Sequence, residues 1–185
     1  MKEKIEEISL SAERGHRRIL RVLTALVVIG LFVLLWKWRG LAAMEPLVDG
    51  GMRRWTRAVL QSVVITLAAQ WVLYLLPWPL LALFGRTTPF CSVFSLRPCV
   101  GSNAELSRAA MLAVRLLPPV LMGAALGFAL ACVPLVWFWP AAMASVGCTV
   151  ASLGMVYDAV RVLQVPGRAT FCDLGIAIQV YREVS

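Results

Sequence analysis

Long apolar runs separated by short charged segments dominate the 185-residue chain. A helix rising 1.5 Å per residue needs about 20 mostly apolar residues to cross a bilayer. Ile19 to Trp36 satisfies this, with Arg21 placed to snorkel at its start. Ala58 to Gly85 is too long for one crossing. Pro77 and Pro79 predict a break, so that 58–76 spans and Trp78 to Gly85 turns along the interface. Leu116 to Tyr157 is 42 residues without one charge, twice the length of a span. It predicts a hairpin, with Trp137, Trp139 and Pro140 marking the turn.

The pattern therefore predicts an all-α, polytopic integral membrane protein. Four transmembrane helices, at about 19–36, 58–76, 116–136 and 140–157, form a membrane domain over 19–163. An N-terminal amphipathic helix covers 1–21 and a tail covers 164–185. In the leader, Ile5, Ile8, Ala12 and Ile19 fall on one helical face. Arg14, Arg17, Arg18 and Arg21 fall on the other, as a surface for lipid headgroups or a partner subunit. Its acidic residues and length, with Lys37 and Arg39 directly after the apolar run, argue for a retained helix rather than a cleaved signal peptide. In the tail, Ile176, Ile178 and Val180 alternate as in a strand, while Phe171, Leu174, Ile178 and Tyr181 fit a helical face. Period alone leaves that choice open. A strand there would need a partner edge, and another chain is the expected supplier.

Composition sharpens the class. Hydrophobic residues make up 60% of the chain and charged residues 15%, which excludes an ordinary soluble domain or a disordered tail. The net charge is +8, but the basic residues flank apolar segments. They predict topology and headgroup contact rather than nucleic-acid binding. With the N-terminus inside, twelve Lys/Arg fall on inner segments and five on outer loops. Both termini are thus expected on the cytoplasmic side, and the Arg- and Trp-rich usage without an organelle-type leader fits a bacterial inner membrane. The run from Arg53 to Arg57 is the counter-signal, read as a short interfacial helix.

Candidate chemistry is sparse. A single histidine, His16, excludes paired-histidine and Ser/His/Asp constellations within the chain. Asp49, Gly50, Gly51 and Arg53 begin an alcohol-phosphotransferase-like motif, but no further aspartates follow a helical turn later. The phosphate-binding G-x-x-x-x-G-K-S/T loop is absent. Cys132 and Cys148 read as packing residues. Cys91 and Cys99 share a loop, and a cytoplasmic loop predicts free thiols. Cys91, Cys99, Cys172 and His16 lack the C-x-x-C spacing of a zinc site. Neither metal nor cofactor is expected.

Gln61 and Gln70 are the strongly polar residues deep in the second span. Arg115 and Asp158, near one membrane face on adjacent helices, predict an ion pair across the hairpin. Gly123 and Gly127 form a GxxxG pair, and Gly147, Ala151 and Gly154 line the following helix. Small residues let backbones approach in lipid, so these five positions are expected to pack the hairpin or to open a groove for a subunit. The resulting expectation is a non-catalytic scaffold or assembly subunit of a membrane complex. Other membrane subunits, the bilayer and a second copy are the candidate partners. A small oligomeric transporter or channel subunit is the alternative.

Overall fold

The computed structural model describes residues 2–8, 14–85, 88–94, 97–166, 169–175 and 177–183. The elements in chain order are β1 (Lys2–Ile8), α1 (Arg14–Leu35), α2 (Leu41–Val48), α3 (Gly51–Leu75), α4 (Pro77–Gly85), β2 (Phe90–Phe94), β3 (Arg97–Gly101), β4 (Glu105–Leu106), α5 (Arg108–Cys132), α6 (Leu135–Gln164), β5 (Thr170–Asp173) and β6 (Ile178–Glu183). A π-helical stretch, Trp36–Gly40, joins α1 to α2.

Among the described residues four helical stretches are long and apolar enough to cross a membrane: Ile19–Glu45, Gly51–Gly85, Arg108–Cys132 and Leu135–Gln164. The predicted break at Pro77 is present, with α3 ending at Leu75 and α4 starting on the proline. Two boundaries move. Arg53 to Arg57 form the first turns of α3 rather than a separate interfacial helix. The hairpin turns at Val133–Pro134, not at Trp137 to Pro140. Val133 is extended (φ −69°, ψ 141°), as a residue before proline tends to be, and Pro134 serves as the N-cap of α6.

The chain is not all-α. Its two ends build a four-stranded antiparallel sheet in the order β1-β6-β5-β4, while β2 and β3 form a separate hairpin. The predicted leader helix is corrected accordingly. Residues 2–8 are a strand, paired from Lys2↔Glu183 to Ile8↔Ile178 with one irregularity between Lys4 and Glu6. The helix begins only at Arg14. The tail is β5 and β6, and the edge that completes it comes from this chain's own N-terminus rather than from another chain.

Topology explains why these strands can meet. They come from before the first long helix, between the second and third, and after the fourth. Each location is an even number of passes along the bundle from the others. Both ends of the chain therefore lie at the same end of the bundle.

The sheet packs on α4, α5 and α6 through Ile8, Leu106, Phe171, Ile178 and Val180, set against Leu81, Met111, Val114 and Val162. At the opposite end Leu35, Ala43, Leu130, Phe138 and Ala142 form a second cluster. Phe32, Trp36 and Trp139 meet there with ring centroids 5.7–5.9 Å apart. Between the two ends, Leu73, Cys148 and Met155 join α3 to α6. Elsewhere α1 and α3 turn large apolar side chains outward, among them Ile19, Leu26, Ile29, Val59, Leu60 and Val64. A surface this apolar has to be covered by lipid or by protein.

Candidate functional site: a buried arginine between two aspartates

Helix α5 starts with Ser107 as N-cap, whose hydroxyl accepts from the Ala110 N–H at 3.3 Å. Two turns later Arg115 points inward, buried where the sheet meets the bundle. One guanidinium nitrogen donates to Asp173 Oδ1 at 2.7 Å, and the other lies 3.6 Å from Asp158 Oδ2. The expected partner, Asp158, is therefore the more distant of the two. Asp173, at the end of β5, holds the shorter contact and is 1% exposed, against 19% for Asp158. One cation thus ties α5 to both α6 and the sheet.

The chain around Asp173 is built to hold it. Its Oδ1 also accepts from the Gly175 N–H at 2.8 Å, and its carbonyl accepts from the Ser102 N–H at 2.6 Å. Gly175 has φ +83°, a conformation that favours glycine, and any Cβ there would sit 3.1 Å from the Val100 carbonyl oxygen. The neighbouring Cys172 thiol is buried and donates to the Ser102 carbonyl at 3.2 Å. Burial pushes the Asp173 carboxyl above the usual carboxylate range, against the pull of Arg115 and the Gly175 N–H. Burial likewise raises the Cys172 thiol, and the nearby Asp173 and Glu105 add to the rise. Asp173 Oδ2 and Arg115 Nε have no hydrogen-bond partner among the described residues. The cluster is a tight clamp with an unfilled acceptor.

Two further arginines hold helix ends. Arg39 donates to the Leu130 and Ala131 carbonyls at 3.1 and 3.3 Å, at the C-terminus of α5, and sits 5.8 Å from the Phe138 ring. Arg108 donates to the Val165 carbonyl at 2.7 Å, at the C-terminus of α6. Cations at helix C-termini satisfy the orphan carbonyls and oppose the negative end of the dipole.

The five small-residue positions divide between two surroundings. Gly147 packs against α3: a Cβ would lie 2.5 Å from Thr66 Cγ2, and the Gly147 carbonyl accepts from Gln70 Nε2 at 3.2 Å. Ala151 packs beside Leu73, Cys148 and Met155. Gly123, Gly127 and Gly154 have nothing within 4 Å of a Cβ. The GxxxG pair does not mediate close α5–α6 contact. It faces a groove of about 190 Å³, bordered also by Leu31 of α1 and by Ser145, Thr149 and Ser152 of α6. Arg21 is exposed on α1. The side chains of Arg14, His16, Arg17 and Arg18 lie outside the described residues.

All five cysteines are free thiols. In the β2–β3 hairpin Cys91 pairs with Val100 and Ser92 with Cys99. Facing pairs share a side of the ribbon and successive residues alternate, so Cys91 and Cys99 point to opposite faces. Among the described residues no three His, Cys, Asp or Glu side chains gather as metal ligands.

Asp173 was the site residue that sequence reasoning missed. Its signal was a short one, an aspartate two positions before a glycine, where a carboxylate can accept from the backbone of a turn. Comparison with protein-family models, curated proteins and solved structures returned no match.

Proposed function

We propose that this chain is a non-catalytic subunit of a membrane complex, held in the bilayer by four helices and docked through α5 to a helix of another subunit. The observation that carries this reading is the open GxxxG face. Gly123 and Gly127 leave α5 backbone uncovered along a helix long and apolar enough to span. In lipid, where apolar side chains gain nothing by leaving the solvent, close backbone approach at small residues is a main source of helix association. Ser145, Thr149 and Ser152 are small residues on the α6 side of the groove. The buried charges support the same reading. Arg115, Asp158 and Asp173 brace the fold, and Arg39 and Arg108 cap helices, so these polar groups have structural roles.

In this proposal the sheet and both termini face the cytoplasm of a bacterial inner membrane, the side favoured by the excess of Lys and Arg. The test is native electrophoresis of membranes solubilised in mild detergent. Gly123→Leu and Gly127→Leu should each dissolve a larger assembly into the single chain while leaving its fold unchanged. An assembly of unaltered size in both variants refutes the reading. A small oligomeric transporter would instead draw on Ser62, Thr66 and Gln70, which lie along one wall of a cleft. Loss of transport in Gln70→Leu, with assembly intact, would favour that alternative.

A further inference from the structure

Where the sheet meets the bundle, two carboxylates share one guanidinium. Arg115 and Asp173 are buried there and Asp158 is partly buried. With both carboxyls ionised, the cluster holds one negative charge more than its cation cancels. An enclosed charge without a partner is costly, and a titratable group in that position takes up a proton instead. The surroundings do not restore the balance. β6 sets Ile178 opposite Asp173, β3 brings Gly101 and Ser102 beside it, and α4 has no ionisable residue. Glu105 of β4 adds negative charge nearby, and β5 adds the Cys172 thiol. Arg108 of α5 reaches the Val165 carbonyl, and Arg161 of α6 reaches the Gln164 side chain. Among the described residues Arg115 is the one cation acting on either aspartate.

The geometry at Asp173 leaves room for that proton. Oδ1 accepts from Arg115 and from the Gly175 N–H, while Oδ2 has no hydrogen-bond partner among the described residues. An ionised Oδ2 would hold charge that no donor answers, and Asp173 is only 1% exposed. Burial holding its carboxyl above the ordinary carboxylate range agrees with this arrangement. Because both carboxyls face one cation, the titration belongs to the pair. Opening dismantles the site. Once β5 leaves the bundle, Asp173 is returned to water, where an aspartate loses its proton at ordinary acidity. Docking of the sheet therefore draws a proton in.

We propose that the terminal sheet docks with one proton shared between Asp158 and Asp173, so that the clamp is a latch that loosens as pH rises. The proposal is independent of what binds the Gly123–Gly127 face. Its test is maleimide labelling of the detergent-purified full chain with Cys172 as the sole cysteine, normalised to the denatured chain at each pH. The docked sheet is fully favoured in acid and loses ground as pH rises through the docked-state titration. One proton corresponds to about tenfold per pH unit in the open population, between the open-state and docked-state titrations. In the same samples, infrared spectroscopy should show a carboxylic-acid C=O band that persists where ordinary aspartates are ionised. Asp158→Asn and Asp173→Asn each leave one carboxylate for one cation. Each should flatten the labelling profile and remove the band, with the helical circular dichroism unchanged. A flat wild-type profile without the band overturns the proposal. So does a tenfold slope that survives in Asp173→Asn. A slope and band that survive in Asp158→Asn also overturn it, because the proton would then belong to Asp173 alone and not to the balance between two carboxylates and one cation.

Discussion

Arg115→Met is the perturbation that isolates the clamp. Methionine keeps an unbranched stem in place but removes the cation between Asp173 and Asp158. Among the described residues, Asp173 then retains only the Gly175 N–H on its side chain. Removing one partner of a buried ion pair costs about 3–5 kcal/mol, because the other charge is left uncompensated. Asp173 can relieve part of this by taking up a proton, which favours the lower figure. At about 1.4 kcal/mol per tenfold, the population in which β5 leaves the bundle should rise about a hundred- to a few-thousandfold. Cys172 reports that opening directly, since its thiol is buried one residue from Asp173. In a chain with Cys172 as its sole cysteine, maleimide labelling under native conditions follows the open population. Asp173→Asn serves as the contrast. It keeps an oxygen for the Gly175 N–H and leaves one arginine facing one aspartate, so labelling should rise less than about tenfold. If Arg115→Met leaves Cys172 as protected as in the parent, or Asp173→Asn opens the sheet as far, the clamp account is wrong.

Three further outcomes are expected. The raised carboxyl of Asp173 has a definite sign: folding stability is fully present below the unfolded-state value and is lost as pH rises through the folded-state value. Labelling of Cys172, normalised to the denatured chain at each pH, should therefore be slower in mild acid than at neutrality, and Asp173→Asn should flatten that slope. Mild oxidation should leave Cys91 and Cys99 unlinked within one chain, because the register turns them to opposite faces; a Cys91–Cys99 disulfide in non-reducing peptide mapping would show that the hairpin register is different. Gly147→Leu drives a side chain into Thr66 and Gln70 and should cost about 1–3 kcal/mol or more. Its melting temperature in detergent should fall clearly below those of Gly123→Leu and Gly127→Leu, where no neighbour stands within 4 Å.

The helices were legible because a bilayer-length apolar run without charges has few alternatives. The break before Pro77 was legible because proline removes a donor and blocks the preceding turn. The hairpin turn was misplaced because both Pro134 and Pro140 could end a helix, and the tryptophans drew the choice to the later one. The sheet was not legible. Ile5 and Ile8 fit a helical face when only their neighbours are considered, and the strand form is decided by β6, more than 160 residues away. Separation along the chain also concealed half of the clamp, since Asp173 lies 58 residues from Arg115. Arg115 and Asp158 could be matched because a hairpin brings its two outer ends together, whereas Asp173 reaches Arg115 only once β5 is laid against the bundle. The glycine motif said that backbone would be uncovered but not in which direction. Gly147 turned toward α3, and Gly123 and Gly127 turned outward.

The central claim is that a chain with four bilayer-length helices brings its two ends together in one sheet at one end of the bundle. Cross-linking in native membranes tests it most directly. Glu7 and Gln179 face each other across β1 and β6, whereas Gly50 lies between α2 and α3, one pass away. In a cysteine-free background, Glu7→Cys with Gln179→Cys should form an intramolecular disulfide on mild oxidation, and Glu7→Cys with Gly50→Cys should not. A 7–50 cross-link, or failure of the 7–179 pair while both thiols remain reactive, would contradict the account.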